Sequence, residues 1–270
     1  MIAGRDEMKR EGGYRRLWVF DFDGTLSPLV PNRSAASLHP SCREMLEDLA
    51  AEPLERVAVL SSRALEDLVP RVPIPRIFLG GGSGLEWQIP GGGRVRPGKQ
   101  AERKLEENRA QAFPQFEKMK VIPGVEVEDK LWSVAVHFRH ASTEARGELS
   151  RLLEELTGHP FLRIFPGPEA VEVQLLRSVN KSLGVQKLCR FLKFDSSGSR
   201  LVYAGDDGND AAAMRWVMSR KGVALVVGNR TKVPGARVLE GPHGLAMAVR
   251  KMAGLPSRTQ RKRGREAISG

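Results

Sequence analysis

A short apolar run that ends in two carboxylates and a glycine occupies residues 17–26, which read Leu17-Trp18-Val19-Phe20-Asp21-Phe22-Asp23-Gly24-Thr25-Leu26. An apolar run of this length, closed by a turn signal, predicts a buried strand. In open α/β sheets, ligands bind beyond the carboxyl ends of the strands, where these two acids lie. Asp21 and Asp23 are two residues apart, so in extended backbone they point the same way. Neighbouring like charges are costly unless a cation joins them, and Mg²⁺ is the candidate because it prefers carboxylate and phosphate oxygens.

The composition favours a globular chain with a packed core. Hydrophobic residues make up 41% of the 270 residues, enough for one large domain or a core that carries a smaller one. No apolar run approaches the ~20 residues that span a bilayer, and residues 1–16 lack the apolar segment of a secretory signal. Cys42 and Cys189 fall inside helical patterns, which favours buried free thiols over a disulfide scaffold. We therefore predict a cytoplasmic protein without a membrane partner.

The net charge of +11 is concentrated near the C-terminus, between Arg250 and Arg265. A basic tail could contact nucleic acid or an anionic surface. The alternative is a solvated end that serves solubility. The tail has no interleaved aromatic residue that would stack on bases, so we expect no nucleic-acid partner and a basic, disordered tail over residues 255–270.

Strands alternate with helices in the two outer parts of the chain. Apolar runs predict strands at 16–20, 56–60, 77–79, 200–204 and 222–227. Helical spacing covers 39–51, 64–69, 181–194, 210–218 and 242–252. This alternation predicts an α/β fold with a doubly wound parallel sheet.

The pattern changes after about residue 91. The three glycines at 91–93 predict a hairpin turn or a hinge. Residues 99–120 are a charged helical stretch that we expect Pro114 to interrupt. Strand-like segments at 125–139, 161–165 and 170–176 surround an amphipathic helix at 142–157. We therefore predict an inserted α+β cap at 92–177, within a discontinuous core formed by 1–91 and 178–254.

A second acidic cluster follows the strand at 200–204. Asp206, Asp207 and Asp210 lie at the end of that strand, which should belong to the same sheet as the strand before Asp21. The two clusters could then converge around one cation. An alternative that is compatible with this is that Asn209 or Asp210 caps the next helix.

The Asp-x-Asp-Gly-Thr-Leu pattern resembles the first motif of the haloacid dehalogenase superfamily of phosphotransferases. The resemblance implies a core of that fold, with Asp21 as nucleophile and Asp23 as general acid/base. It also implies that Asp206 and the backbone carbonyl of Asp23 complete a Mg²⁺ site with Asp21. Asp207 and Asp210 would then orient water or Lys181 without binding the metal themselves.

Three polar residues resemble the phosphate-binding parts of the same superfamily. Ser61 follows the second strand and would donate its hydroxyl and amide to phosphate, unless it caps the helix at 64–69. Thr25 could hold phosphate or satisfy its own loop. Lys181 heads a helix, where its charge opposes the macrodipole, and a bound phosphate would explain it. The resemblance makes Lys181 the third motif; the alternative is a solvated surface lysine.

The middle of the chain resembles the trehalose-6-phosphate phosphatases. The segments that carry the resemblance are Val127-Glu128-Asp129-Lys130, Ser133-Val134-Ala135-Val136-His137-Phe138-Arg139, Gly84-Leu85-Glu86 and Val171-Glu172-Val173. The resemblance, which runs from about 17 to 228, implies a sugar site built from Arg63, Glu86, Glu128, Lys130, His137, Arg139 and Glu172. The alternative is the polar face of a half-buried sheet.

Four positions depart from the pattern of that family: Ser62, Ser83, Ser182 and Ala211. The carboxylates, Ser61 and Lys181 are kept, so the departures bear on the sugar more than on phosphoryl transfer. We predict a Mg²⁺-dependent sugar-phosphate phosphatase that acts on trehalose 6-phosphate. The alternatives are a sucrose-phosphate or mannosyl-phosphate type of substrate, or a non-enzymatic basic binding protein on the same fold.

Overall fold

The computed structural model describes residues 14–31, 33–167 and 169–256, with the backbone alone at Ser199. Its strands are, in chain order, β1 (Arg16–Phe20), β2 (Glu55–Leu60), β3 (Phe78–Gly81), β4 (Glu86–Gln88), β5 (Arg94–Val95), β6 (Glu126–Asp129), β7 (Ser133–His137), β8 (Arg163–Pro166), β9 (Ala170–Gln174), β10 (Leu201–Gly205), β11 (Val223–Val227) and β12 (Arg237–Leu239). Its helices are α1 (Pro40–Ala51), α2 (Leu65–Leu68), α3 (Lys99–Lys120), α4 (Thr143–Thr157), α5 (Lys181–Phe191), α6 (Ala211–Ser219) and α7 (Gly241–Ala253). The basic tail predicted at 255–270 lies outside the described residues from 257 onward.

Eight strands form a large sheet in the order β12-β11-β10-β1-β2-β3-β4-β5. Neighbouring strands from β12 to β3 are parallel, whereas β4 and β5 are antiparallel additions at one edge. The turn between β4 and β5 is the one predicted at 91–93, where the amide of Ile89 donates to the carbonyl of Gly93 at 2.8 Å. The α/β class is confirmed, but sequence analysis missed β4, β5 and β12, because strands of two or three residues carry too little periodicity.

Residues along the central strands alternate between the two faces of the large sheet. Trp18 and Phe20 belong to the core cluster that includes α1 and α7, whereas Leu17 and Val19 belong to the cluster that includes α5 and α6. Both faces are therefore buried, as expected for parallel strands with helices on each side. The carboxyl ends of β1, β2 and β10 lie side by side, and this edge carries both acidic clusters.

Four strands form a second, antiparallel sheet in the order β6-β7-β9-β8. One face is apolar, with Val134 and Val173 in a cluster with Phe116 of α3 and Leu149 of α4. The opposite face is polar, because side chains alternate along each strand. This sheet and its two helices supply the α+β part of the predicted fold class.

The prediction that Pro114 interrupts the helix at 99–120 was wrong, because α3 runs through it. Proline removes one helical N–H and crowds the preceding turn. Here Ala112 and Phe116, on either side of Pro114, are both fully buried, and this packing holds the helix together. Neither α3 nor any other helix in the described ranges is both long and apolar enough to cross a membrane.

The division into a core at 1–91 and 178–254 and a cap at 92–177 stays a prediction. The structure pairs Arg94 and Val95 with β4, so the large sheet continues a few residues past position 91. Residues of the second sheet all lie between 126 and 174.

A close approach between two glycines fixes α5 against the loop after β3. Gly84 has a φ of +90°, and a Cβ at that position would collide with the Cα of Gly184. A Cβ on Gly184 would lie 2.6 Å from the carbonyl oxygen of Ser83. Neither partner can yield easily, since the atoms in the way belong to the backbone.

We expect Gly184→Ala to destabilise the protein by about 1–3 kcal/mol, as overpacking does, even though alanine is the better helix former. Gly147→Ala is the matched control: Gly147 lies in α4 with open space around it, so alanine should stabilise by about 0.5–1 kcal/mol. The free energy of unfolding in urea measures both. Equal gains in the two variants would contradict the predicted clash.

Candidate active site

Asp21 and Lys181 form a buried ion pair at the carboxyl end of β1. Each has less than a twentieth of its surface exposed. The Nζ of Lys181 donates to Oδ1 of Asp21 at 2.6 Å and to Oδ1 of Asp210 at 2.7 Å. Lys181 is therefore not a solvated surface residue, and Asn180 caps its helix by accepting from the amide of Leu183.

Asp206 and Asp210 come from the loop after β10 and meet Asp21. One carboxylate oxygen from each of these three residues lies within 4.8 Å of the others. Gly24 has a φ of +80°, and a Cβ there would collide with the carboxylate of Asp206. Glycine at this position is thus what lets the loop after β1 approach the second acidic cluster.

Asp210 uses its side chain to fix the site and not to cap α6. It occupies the capping position but makes no capping hydrogen bond. Besides Lys181, its Oδ1 accepts from the hydroxyl of Tyr203 at 2.7 Å, and its Oδ2 accepts from the amides of Asp206 and Asp207 at 3.1 and 3.2 Å. Sequence analysis did not single out Tyr203, because its position in β10 looks like one more apolar core position.

Burial and the charges of neighbouring acids raise the pKa values of Asp21, Asp206 and Asp207. Burial raises the pKa of Asp21 well above its usual range, with Lys181 opposing and the neighbouring acids adding to it. Burial and the nearby charge of Asp207 raise the pKa of Asp206 to about 7, although Arg230 donates to it at 2.9 Å. Burial also raises the pKa of Asp207. Burial alone would lower the pKa of Lys181, but its carboxylate partners outweigh this and raise it, so the ammonium stays charged.

The donor chemistry of the cluster fits a divalent cation. Carboxylate oxygens are the hard ligands that Mg²⁺ and Ca²⁺ prefer. The ammonium of Lys181 balances only part of the charge of Asp21, Asp206 and Asp210. Burial, together with repulsion between neighbouring acids, raises the pKa values of Asp21 and Asp206, and a bound cation would favour their charged forms. These buried acids therefore form a candidate divalent-metal site.

The side chain of Asp23 is not one of the three carboxylates that meet in this cluster, and it contacts two arginines instead. Arg63 holds it through two bonds of 2.7 Å, from Nε to Oδ2 and from Nη2 to Oδ1. A terminal nitrogen of Arg33 lies 3.6 Å from the same Oδ2. Only the backbone carbonyl of Asp23 was predicted to meet the metal, so the position of its carboxylate is a separate finding.

Of the two predicted phosphate-binding hydroxyls, that of Thr25 contacts the cluster and that of Ser61 lies at the end of the neighbouring strand β2. Thr25 is fully buried and its hydroxyl donates to Oδ2 of Asp21 at 3.3 Å. Ser61 is also buried, and its Oγ accepts from the amide of Arg63 at 3.1 Å. The next helix, α2, is preceded by Ala64 without a side-chain cap, so Ser61 does not serve as its N-cap.

Four of the predicted sugar-binding residues form one polar network on the second sheet. Glu128 and Glu172 lie in one cross-strand row, both in register with Ala135 of β7. Lys130 is buried and donates to Glu172 at 2.6 Å, while His137 lies 3.2 Å from Glu128. The hydroxyl of Ser133, which sequence analysis had not assigned, donates to the other oxygen of Glu172 at 2.6 Å.

Three predicted sugar-binding residues lie apart from this network. Arg139 pairs with Glu169, with Nε 2.7 Å from the carboxylate. Glu86 is buried on β4. Burial and the charge of Arg190 lower the pKa of Lys187, and the negative charge of Glu86 opposes this change. Arg63, only 3% exposed, is bonded to Asp23 and not to the polar face of the second sheet.

An open cleft lies between Lys181, which contacts the acidic cluster, and part of the polar face of the second sheet. It encloses about 640 Å³ of empty space, part of it continuous with solvent. Lys181 and Asn180 line it on the side of the large sheet, and Ser133, Glu172 and Gln174 line it on the other. Two of the departures from the family pattern, Ser62 and Ser83, also line it.

The other two departures from the family pattern have local contacts. The hydroxyl of Ser182 donates to Oδ1 of Asn180 at 2.6 Å, next to the start of α5. Ala211 is buried at the start of α6. Ser83 has a φ of +59°, an uncommon backbone conformation for a residue with a side chain.

Comparison with solved structures defines the class. The fold matches a trehalose-6-phosphate phosphatase related protein with a TM-score of 0.70 at 18% identity, covering 87% of this chain and 96% of that one. It also matches the C-terminal domain of the Candida albicans trehalose-6-phosphate phosphatase, with a TM-score of 0.70 at 20% identity, covering 90% and 93%. A haloacid dehalogenase-like hydrolase from Bacteroides thetaiotaomicron matches at 0.58 with 16% identity, covering 89% and 100%. The chain therefore has the haloacid dehalogenase-like fold.

Comparison with sequences defines the family. The model described as Trehalose-phosphatase matches residues 19–238. A trehalose-phosphate phosphatase of Mycobacterium tuberculosis (strain ATCC 25618 / H37Rv) is 34% identical over 218 residues, which is 77% of this chain and 52% of that protein. The Mycobacterium avium (strain 104) protein of that name is 34% identical over 203 residues, 72% of this chain and 49% of its own. The chain belongs to the trehalose-phosphatase family, and it spans about half the length of these relatives.

Glu128 gives the polar network a pH dependence. Burial would raise the pKa of Glu128, but the hydrogen bond to His137 and the charges of Lys130 and Arg33 lower it from 4.5 to about 2. A carboxylate with a lowered pKa stabilises the folded state above its unfolded value, and this contribution is lost as the pH falls through the folded value.

Glu128→Gln should therefore lower the midpoint of thermal unfolding at neutral pH, and the deficit relative to wild type should shrink as the pH falls below the unfolded value of 4.5. Glu126→Gln, an exposed residue of the same strand, controls for the change in net charge. A deficit that stays constant between neutral pH and about pH 3 would contradict the pKa assignment.

Proposed function

We propose that this protein is a Mg²⁺-dependent phosphomonoester hydrolase that converts trehalose 6-phosphate into trehalose and phosphate. The observation that carries the proposal is the meeting of Asp21, Asp206, Asp210 and Lys181 at one side of a cleft, opposite a polar sheet face. Membership of the trehalose-phosphatase family supports the substrate.

Asp21 is the proposed nucleophile. A carboxylate oxygen of Asp21 attacks phosphorus, the bond from phosphorus to the sugar oxygen breaks, and Asp23 gives its proton to the leaving oxygen. Water then attacks the aspartyl-phosphate, Asp23 takes a proton from that water, and the bond between Asp21 and phosphorus breaks to release phosphate. The charged Lys181, which is 2.6 Å from Asp21, would stabilise the transferring group throughout.

Asp21, Asp206 and the backbone carbonyl of Asp23 would hold the Mg²⁺, with Asp207 and Asp210 supporting them. When bound, the ion supplies positive charge that offsets the negative charge of the transferring phosphoryl group. Thr25 and Ser61 would donate to the phosphate oxygens. The hydroxyl of Thr25 contacts Asp21, and Ser61 lies at the end of β2, the strand next to β1. Asp210 holds Lys181 at 2.7 Å and so orients the ammonium.

The sugar would bind the polar face of the second sheet. Glu128, Lys130, His137 and Glu172 already hydrogen-bond to one another, and sugar hydroxyls can exchange with such paired groups. Arg139 and Glu86 would join them only after a change in position. We propose that residues 92–177 act as a cap that closes over the cleft and excludes bulk water. A cytoplasmic location agrees with the two buried free cysteines.

A panel of sugar phosphates tests the substrate. We expect phosphate release from trehalose 6-phosphate to exceed that from sucrose 6-phosphate, mannosyl phosphates and glucose 6-phosphate, because the paired acids and bases of the cap match a disaccharide. Asp21→Asn should abolish release, roughly a 10⁴-fold loss or more, while thermal unfolding stays near that of wild type. A preference for another sugar phosphate would reassign the substrate, and activity retained by Asp21→Asn would remove the nucleophile.

The same panel separates an enzyme from a basic binding protein. Absence of phosphate release from every compound, together with salt-dependent nucleic-acid binding that is lost on deleting residues after 254, would favour the binding protein.

Asp206→Asn tests the metal. Mg²⁺ should raise the thermal unfolding midpoint of the wild type by mass action, and the variant should lose most of this shift because it lacks a charged ligand. Asp195→Asn, an exposed aspartate paired only locally with Ser197 in the described structure, should behave as wild type. Equal stabilisation of Asp206→Asn and wild type by Mg²⁺ would refute this site.

A further inference from the structure

We infer that Asp67 and Arg63 form a positioning pair that fixes the carboxylate of Asp23 for proton transfer. The inference rests on the proposed function, because it concerns how Asp23 is placed in that reaction. It assigns Arg63 a task different from the sugar binding that the family resemblance implied, and it assigns a task to Asp67, which no motif singles out.

Arg63 binds the carboxylate of Asp23 through two hydrogen bonds. Its Nε and Nη2 each lie 2.7 Å from a different oxygen of the Asp23 carboxylate. Parallel bonds of this kind fix the orientation of both groups as well as their distance. The guanidinium is 3% exposed and lies over the ring of Phe22, with Cζ 5.6 Å from the ring centroid, so packing holds it as well.

The donors of Arg63 are nearly all in use. Besides the two bonds to Asp23, Nη2 donates to the carbonyl of Arg33 at 2.8 Å, and Nη1 donates to Asp67 at 2.5 Å. These bonds engage four of the five N–H groups of a guanidinium. A sugar hydroxyl would therefore have to displace an existing partner of Arg63, which makes direct substrate binding a poor account of this side chain.

Asp67 is shared between two arginines. One of its oxygens accepts from Arg63, and the other accepts from Nε and Nη2 of Arg71 at 3.2 and 2.8 Å. Arg71 in turn donates to the carbonyls of Ser34 and Ala36 at 2.9 and 2.7 Å. A chain of contacts thus runs from Asp23 through Arg63 and Asp67 to Arg71, and positive and negative side chains alternate along it.

A carboxylate held in this way meets the attacking water in a defined orientation when it takes a proton from that water, and small displacements of catalytic groups are costly in rate. Removing the charge of Asp67 would loosen Arg63 on the side away from Asp23. The consequence should appear in the steps in which Asp23 moves a proton and not in the affinity for the sugar.

The test compares Asp67→Asn with Glu66→Gln. Glu66 precedes Asp67 in α2 and pairs with the exposed Arg94, so its amide variant is a matched control. With trehalose 6-phosphate we expect Asp67→Asn to lose roughly tenfold or more in kcat, while its KM stays within about twofold of the wild-type value. This is the pattern expected of a residue that acts by orienting a catalytic residue. Glu66→Gln should match wild type.

The second substrate is p-nitrophenyl phosphate, which has no sugar and a leaving group that needs no proton. Asp67→Asn should release p-nitrophenolate in a burst near one per enzyme molecule, followed by slow turnover, because only hydrolysis of the aspartyl-phosphate still needs Asp23. A slower rate without a burst would mean that Asp67 is only structural. A raised KM for the sugar phosphate with unchanged kcat would mean substrate binding. Either result overturns the inference.

Arg63→Lys provides a second variant in case Asp67→Asn does not fold at the assay temperature. Lysine keeps the charge but lacks the planar fork, so it should give the same burst and slow turnover. Turnover of Arg63→Lys at the wild-type rate, without a burst, would overturn the inference. If the wild type hydrolyses neither substrate, the proposed function fails; if it is active and Asp67→Asn behaves as Glu66→Gln, the positioning pair alone fails.

Discussion

The ammonium of Lys181 between Asp21 and Asp210 is the contact on which the site depends. It joins the end of β1, the start of α5 and the loop after β10. Lys181 is 160 residues from Asp21 along the chain and 29 residues from Asp210. Burying carboxylates is expensive unless they are paired and hydrogen-bonded. Burial raises the pKa values of Asp21 and Asp206 even though Lys181 opposes this at both residues and Arg230 opposes it at Asp206. The site is built for additional positive charge.

The sheet topology brings these charges together. In a parallel sheet all carboxyl ends lie at one edge, so the loops after β1, β2 and β10 meet there without any specific long-range signal. The antiparallel second sheet contributes a different chemistry, since one face packs on an apolar core while β7, β8 and β9 also place residues in the cleft. The proposed substrate, which has one phosphate and many hydroxyls, suits a cleft with charged residues on one side and polar residues on the other.

Much of this could be predicted from the sequence. The strand before Asp21, the one before Asp206 and the alternation through β6 and β7 are all strong local patterns. The grouping of Asp21 with Asp206 follows from the rule that parallel strands end at one edge, and the structure shows it.

Other features depend on contacts that no local pattern encodes. The continuity of α3 at Pro114 depends on the burial of Phe116 and Ala112 in a core that the helix alone does not specify. The partner of Arg63 is 40 residues away, and a guanidinium can bind a carboxylate of the protein as readily as a sugar hydroxyl. The same holds for Arg139, which the structure pairs with Glu169. Side-chain partners of long, charged residues are set by tertiary packing, which is why the sequence named the residues but not their contacts.

A crystal structure grown with Mg²⁺ and beryllium fluoride, a mimic of a phosphoryl group bound to a carboxylate, would show which residue accepts the phosphoryl group and where the metal ion binds. We expect the fluoride complex on a carboxylate oxygen of Asp21, in contact with Lys181, with the metal ion between Asp21 and Asp206. A metal ion bound elsewhere, or a fluoride complex that leaves Asp21 untouched, would contradict it.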